Sequence, residues 1–364
     1  MKTATNSLTK LALQKFKKNT IGVLSFWFIV LCGFIAIFAY TLAPDNSSNA
    51  NQMHLELHSK RPGFEVLMLS IPPNKIIEQS SLNSLFFGIK NQQTEIPIAS
   101  YNISKNELVV QTFTENNIKS LSKTFPISMF YEKDISEYIT LRKFHLGTDK
   151  YGRDLLSRLL VGTRISFFIG FIAVFISLVI GITIGAIAGY FGGKVDVFIM
   201  WLINITWSIP TLLLVIAITL ALGKGYWQVF IAVGLTMWVE VARVVRGQLM
   251  SAKELQYVEA AKALGFSNFR IIFKHILPNI MAPVIVISAA NFAGAILIES
   301  GLSFLGIGAQ PPTPSWGAMI KDHYSYIILG KAYLAIIPGL AIMSLVMAFM
   351  LIGNALRDTL DVKN

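Results

Sequence analysis

Six stretches of this chain are apolar over the length of a membrane-crossing helix. They are Ile21–Ala43, Ile165–Tyr190, Val195–Leu222, Tyr226–Val244, Ile280–Ile298 and Tyr333–Asn354. Each matches the ~20 consecutive apolar residues that a helix needs to cross the hydrocarbon core of a bilayer. The composition agrees. Of 364 residues, 54% are hydrophobic and 14% charged, with a mean hydropathy of +0.58. Soluble domains run near ~45–50% apolar and ~25% charged. The net charge of +11 would point to nucleic acid in a soluble protein; here it fits basic loops that orient membrane spans.

The first run follows a segment with Lys2, Lys10, Lys15, Lys17 and Lys18 and no acidic residue. A cleaved signal peptide has an apolar core of only ~7–15 residues. The expectation is therefore a retained first span with a cytoplasmic N-terminus. Arg243, Arg246, Lys253, Arg357 and Lys363 fall on the same side if there are six spans, which places both termini in the cytoplasm.

Residues 45–164 differ in kind. Short alternating runs such as Glu107–Phe113 (ELVVQTF) read as β-strands. The region is predicted to be an extracytoplasmic, partly β insertion between the first two spans. It divides the chain into 1–44 (N-terminus and first span), 45–164, and a core of five spans over 165–364. Asn46-Ser47-Ser48 and Asn102-Ile103-Ser104 match glycosylation patterns that short sequences produce by chance.

Between the fourth and fifth spans lies EAAKALGFSNFRIIFKHILPN, Glu259–Asn279. Ser251 with Glu254 has capping-box spacing, which predicts a helix starting near Ala252. Gly265 should end it by adopting a left-handed conformation. Ser267 is placed to cap a second short helix, closed by Pro278. A helix–glycine–helix elbow with small residues at its corner lets another protein approach closely.

Glu259-Ala260-Ala261, Gly265 and Leu277-Pro278 resemble the EAA loop of ABC importer permeases, in which the elbow sits in a groove of the ATPase subunit. His275 stands where the general pattern has Ile, a form typical of the peptide-importer branch. Two further segments resemble dipeptide and oligopeptide permeases: His145–Ser166 (HLGTDKYGRDLLSRLLVGTRIS) and Glu299–Ile320 (ESGLSFLGIGAQPPTPSWGAMI). The resemblance covers the last two-thirds of the chain and the first span; it does not account for residues 46–140.

It implies a mostly helical polytopic membrane protein of the MetI-like type I importer class, the C-type permease of a dipeptide, oligopeptide or nickel importer. Its partners would be a second homologous permease, two cytoplasmic ATPase subunits and an extracytoplasmic solute-binding protein. By the same resemblance Glu259, Ala260, Ala261, Leu264, Gly265, Leu277 and Pro278 form the ATPase-coupling site, with Ala261 facing the groove.

Other physical expectations follow from the residues. Gly181, Gly185 and Gly189 make a strip for close helix packing, and Ile176 is expected to face lipid. Pro210 should kink the third span. Pro311, Pro312 and Pro314 exclude a continuous helix, and Trp316 suits a membrane interface. Arg153, Arg158 and Arg164 fall outside the cytoplasm in this topology, against the usual charge bias.

The chemistry of the chain points away from catalysis. The Gly-Lys pairs at Gly193, Gly223 and Gly330 lack the following Ser or Thr of a phosphate loop, so ATP and magnesium are expected only in partner ATPases and no cofactor in this chain. No nucleophile–base arrangement stands out. Cys32 is the only cysteine, and His54/His58 is the one histidine pair with ligand-like spacing. Glu240 and Glu299 lie near ends of spans; an ionisable group at membrane depth faces a cavity or a partner, which makes Glu299 the candidate for the translocation path. A secondary transporter would instead show internal repeats and broken helices near the midplane.

Overall fold

A computed structural model describes residues 8–72, 80–90, 94–104, 106–114, 121–130, 134–223 and 225–360. Lys2, Lys224 and Lys363 lie outside the described residues, as does the Lys10 side chain.

In chain order, α1 (Leu8–Lys18) leads into α2 (Thr20–Leu42). Strand β1 (Phe64–Ile71) is followed by α3 (Ser81–Phe87), β2 (Thr94–Ile103), β3 (Glu107–Thr112), β4 (Ser122–Pro126) and β5 (Ile139–Phe144). The helices α4 (Leu155–Phe191), α5 (Gly193–Ser208), α6 (Thr211–Leu222), α7 (Tyr226–Ala252), α8 (Gln256–Ala263) and α9 (Asn268–Arg270) come next. The chain closes with α10 (Met281–Leu305), α11 (Trp316–His323) and α12 (Tyr333–Leu360).

Among the described residues, α2, α4, α7, Asn268–Leu305 and α12 are each long and apolar enough to cross a membrane. The pair α5 and α6 is bent by 91° at its break and makes a sixth span if counted as one. The bend falls at Pro210, which removes a backbone donor and clashes with the preceding turn.

The chain divides into two compact units. One comprises Met1–Gly33, Ile165–Gln310 and Leu340–Asn364; the other Phe34–Arg164 and Pro311–Gly339. The second unit therefore takes in the end of the first span and a segment after the fifth, beyond the predicted 45–164 boundaries.

In the first unit the glycine strip of α4 lies against α7. A methyl added at Gly181 would stand 2.6 Å from Val241 Cβ, one at Gly189 2.8 Å from the Arg246 carbonyl oxygen, and one at Gly185 would meet the Ala242 carbonyl oxygen. The absence of side chains is what lets the two backbones touch. Ile176 does not face lipid. Its Cβ would lie 2.7 Å from a methyl at Gly234 of α7, so the helix turns that position inward. Arg246 grips Asp196 of α5 through two bonds of 2.5 and 2.6 Å, a bidentate pairing that fixes geometry as well as charge.

The second unit holds an antiparallel sheet of order β4-β3-β2-β1-β5. Alternation along β1 explains its two cores: Val66 and Met68 join Leu57 and Phe144 on one face, while Leu69 joins Ile98, Leu108, Val110 and Phe130 on the other. Beside the sheet, the GTDxxGRD stretch folds into a buried charge network. Asp149 Oδ1 accepts the Tyr151 and Arg153 amides at 2.8 and 3.0 Å. Its Oδ2 lies 2.6 Å from both Arg153 Nε and Nη2, only the former with hydrogen-bond geometry, and 3.8 Å from Arg158 Nε. Arg153 also reaches Asn51 Oδ1 at 3.0 Å, and Arg158 the Asn49 carbonyl at 3.3 Å. Arg164 donates to the Phe86 carbonyl and lies over the Tyr40 ring. The three arginines that conflict with the charge bias are thus bound up in local structure. Asp154 caps α4, accepting the Ser157 amide at 2.9 Å.

Trp316 is buried rather than interfacial, its indole N–H donating to the Leu159 carbonyl at 3.0 Å. Lys150 donates to Asp322 at 3.1 Å, and its amide to His323 Nε2 at 3.4 Å, while His323 Nδ1 lies 2.7 Å from the Met319 carbonyl oxygen.

Candidate functional site

The elbow is built by α8, Gly265 and the segment that follows. Helix α7 does not stop where the Ser251/Glu254 spacing predicts a new start. It continues to Ala252, and Ser251 bonds back to the Gly247 carbonyl at 3.3 Å within it. The burial of Leu249 and Ala252 in the core outweighs the local cap signal. Helix α8 then starts at Gln256, with Leu255 as its N-cap.

The end of α8 is a Schellman motif. The Gly265 amide donates to the Lys262 carbonyl at 2.9 Å and the Phe266 amide to the Ala261 carbonyl at 3.2 Å. Gly265 has φ +76°, the left-handed region that costs a side chain-bearing residue most. Phe266 and Ala261 pack in one core cluster, the apolar contact that accompanies this motif. Ser267 caps the next turn, its Oγ accepting the Arg270 amide at 3.4 Å.

Pro278 does not close this segment. After α9 the backbone widens into a π-turn over Ile271–Ile276 and tightens over Leu277–Ile280, and helix continues to Leu305. Proline is tolerated because it sits in the first turn of the tightened segment, where a missing N–H costs little.

The site residues separate into two layers. Glu259, Ala260, Leu264 and Gly265 are exposed at the corner, with Leu264 at 71%. Ala261 does not face outward; at 4% exposure it lies in the core with Val245 and Leu249 of α7, and with Ile271 and Leu277. Leu277 shares that core, and Pro278 is exposed. This buried layer bolts the elbow to α7 and to the root of α10. Glu259 forms no ion pair among the described residues.

The surface also carries apolar groups that sequence reasoning missed. Phe269 (71% exposed) packs at a tilt against Phe273, 4.4 Å between ring centres, and Leu255 and Tyr257 are exposed nearby in sequence. The i, i+4 spacing of the two phenylalanines in FRIIF was the available signal. Below them the Arg270 guanidinium lies 4.0 Å from the Phe266 ring centre, and Phe266 stacks on His275. The elbow thus carries exposed apolar side chains beside its polar corner.

Glu299 is not part of this surface. It lies in the last two turns of α10, about 27 Å along the helix from Met281, and is 1% exposed. Its carboxylate accepts the Ser303 hydroxyl at 2.7 Å, and Ser303 Oγ accepts the Ala309 amide at 3.1 Å. Glu240 is exposed.

Comparison with known proteins gives the following. The family described as "Binding-protein-dependent transport system inner membrane component" matches residues 181–363, and "N-terminal TM domain of oligopeptide transport permease C" matches residues 7–61. The chain is 41% identical over 218 residues to the glutathione transport system permease protein GsiD of Pectobacterium atrosepticum, covering 60% of this chain and 72% of that one. It is 42% identical to the dipeptide transport system permease protein DppC of Alkalihalophilus pseudofirmus, covering 60% and 71%. It is likewise 42% identical to the oligopeptide transport system permease protein OppC of Haemophilus influenzae, covering 62% and 72%.

Proposed function

Because this chain belongs to the family of binding-protein-dependent transport system inner membrane components, we propose that it is the C-type permease of a peptide-importing ABC transporter. Together with a second, homologous permease it forms the translocation pathway for dipeptides or oligopeptides. Two cytoplasmic ATPase subunits bind and hydrolyse ATP with magnesium, and an extracytoplasmic binding protein delivers the substrate. The chain itself carries out no chemical step.

One observation carries the coupling role. A Schellman-closed elbow, rooted in the core through Ala261 and Leu277, presents Ala260, Leu264 and Gly265 outward between two spans. An ATPase subunit that grips this corner moves α7 and α10 as levers, which is rigid-body switching. Glu259, with no ion pair of its own among the described residues, is the charge offered to the partner. Ala261 serves by keeping α8 close to α7 and not by touching the partner. Glu299 acts on the path through Ser303 and the turn that Ser303 holds.

The elbow is cytoplasmic in this reading, as are both termini, and residue 100 lies outside. In a Cys32→Ser background, cysteine at Ser100 should react with a membrane-impermeant thiol reagent in intact cells and cysteine at Ser267 should not; the reverse pattern sinks the orientation. For coupling, the double variant Ala260→Trp/Leu264→Asp should insert normally but fail to co-purify ATPase subunits and lose peptide uptake. Phe175→Leu, at an exposed position of α4, should do neither. Full ATPase association and uptake by the double variant would refute the coupling role.

A further inference from the structure

We infer that the end of α1 binds the headgroups of anionic phospholipids. The first observation is charge. Lys15, Lys17 and Lys18 close α1, all are exposed, and no Asp or Glu precedes Asp45 in the sequence. None of the three forms an ion pair among the described residues.

The second observation is position. Asn19 caps the turn into α2, its Oδ1 accepting the Gly22 amide at 2.9 Å. Phe16 then folds back on the span: its ring lies edge-on to Phe26, 6.5 Å between centres, and 3.2 Å from where a methyl on Gly22 would stand. The lysines are therefore held at the mouth of a 23-residue apolar helix, where their stems lie along apolar surface and their ammonium groups reach headgroups.

The third observation is the neighbour. A methyl on Gly22 would also stand 2.5 Å from Ala355 Cβ of α12. Two residues on, exposed Arg357 adds a cation at this end, with Asp358 the one exposed acid beside it among the described residues. The membrane is the occupant that the geometry favours, because the adjoining span keeps these groups beside one anionic plane. Lysines at such a surface each contribute a binding factor of roughly five. The inference needs only the membrane location of α2, and so stands or falls apart from the peptide-import reading.

The test uses the full chain in nanodiscs of phosphatidylcholine with a minority of phosphatidylglycerol, released and weighed by native mass spectrometry. The wild-type chain should retain phosphatidylglycerol in excess of its share. Lys15→Gln/Lys17→Gln/Lys18→Gln should reduce that preference by up to ~100-fold, and Lys17→Gln alone about fivefold. The corresponding triple arginine variant should keep it. Since the lysines are exposed, thermal melting should not change; should the triple variant fail to insert, Lys17→Gln carries the test alone. Unchanged retention in the glutamine variants overturns the site. Inorganic phosphate displacing the lipid as well as added phosphatidylglycerol does would make the ligand a soluble anion and overturn the lipid assignment.

Discussion

Gly265 isolates a single energetic term. Its φ is +76° and an added Cβ would meet nothing within 4 Å, so crowding contributes nothing to a substitution there. What remains is the backbone cost of holding an L-residue in the left-handed region, about 1–2 kcal/mol. That is a factor of roughly 5–30 in any equilibrium requiring the native turn. In the free permease a substituted elbow relaxes out of this turn, giving up the Gly265 and Phe266 amide bonds and the packing of Phe266, and docking has to restore it. The substitutions should rank by tolerance of this region, with Asn mildest, Ala intermediate and β-branched Val worst. The assay is the Kd of purified ATPase subunits for the membrane-embedded permease. Gly265→Ala should weaken it by up to about 30-fold, Gly265→Asn by clearly less, with permease abundance unchanged. Equal affinities for all three variants and the wild type would show that the elbow's shape does not govern docking.

Other outcomes follow from the packing. Gly185→Leu should separate α4 from α7 and lower the melting temperature sharply, whereas Gly247→Ala, with nothing within 4 Å of its added methyl, should melt like the wild type. Asp149→Ala leaves Arg153 and Arg158 buried without their carboxylate and should destabilise the second unit by about 3–5 kcal/mol, read as faster proteolysis of residues 45–164; Asp149→Asn should do less. His323 has its pKa lowered, first by burial, and accepts the Lys150 amide at Nε2. A lowered folded pKa means the unfolded state takes up the proton more readily, so stability is present above the ordinary histidine pKa of about 6.5 and is lost as pH falls below it. The protection of the amides around 316–323, taken relative to the intrinsic exchange rate at each pH, should therefore fall between neutral pH and pH ~5, and His323→Gln should flatten that fall.

The spans were legible because bilayer thickness fixes the length of an apolar run, and Gly265 because few residues adopt its conformation. The cap at Ser251 misled because the spacing is a local preference, and α7 gains more by burying Leu249 and Ala252 than by ending early. Pro278 misled for a related reason: a π-turn absorbs it, and nothing in the spacing of single residues announces one. Which face of the short helix α8 turns inward is set by α7 and Ile271, so Ala261's burial was not readable from its neighbours. Arg153 and Asp149 are four apart and could be paired on paper. The further partner of Arg153, Asn51, and that of Arg158, Asn49, lie about a hundred residues upstream.

The second unit also has a chronology. Strands β1 to β4 follow one another along the chain and β5 closes on β1, so the sheet is complete before α4 has been made. Asp322, His323 and Trp316 are not. The Lys150–His323 bond joins residues 173 apart, which at translation speed is a delay of roughly 10–30 s. During that interval Lys150 and the Leu159 carbonyl wait without these partners while the later spans are threaded into the membrane. Completion of the unit thus reports that the chain has been inserted at least as far as residue 323.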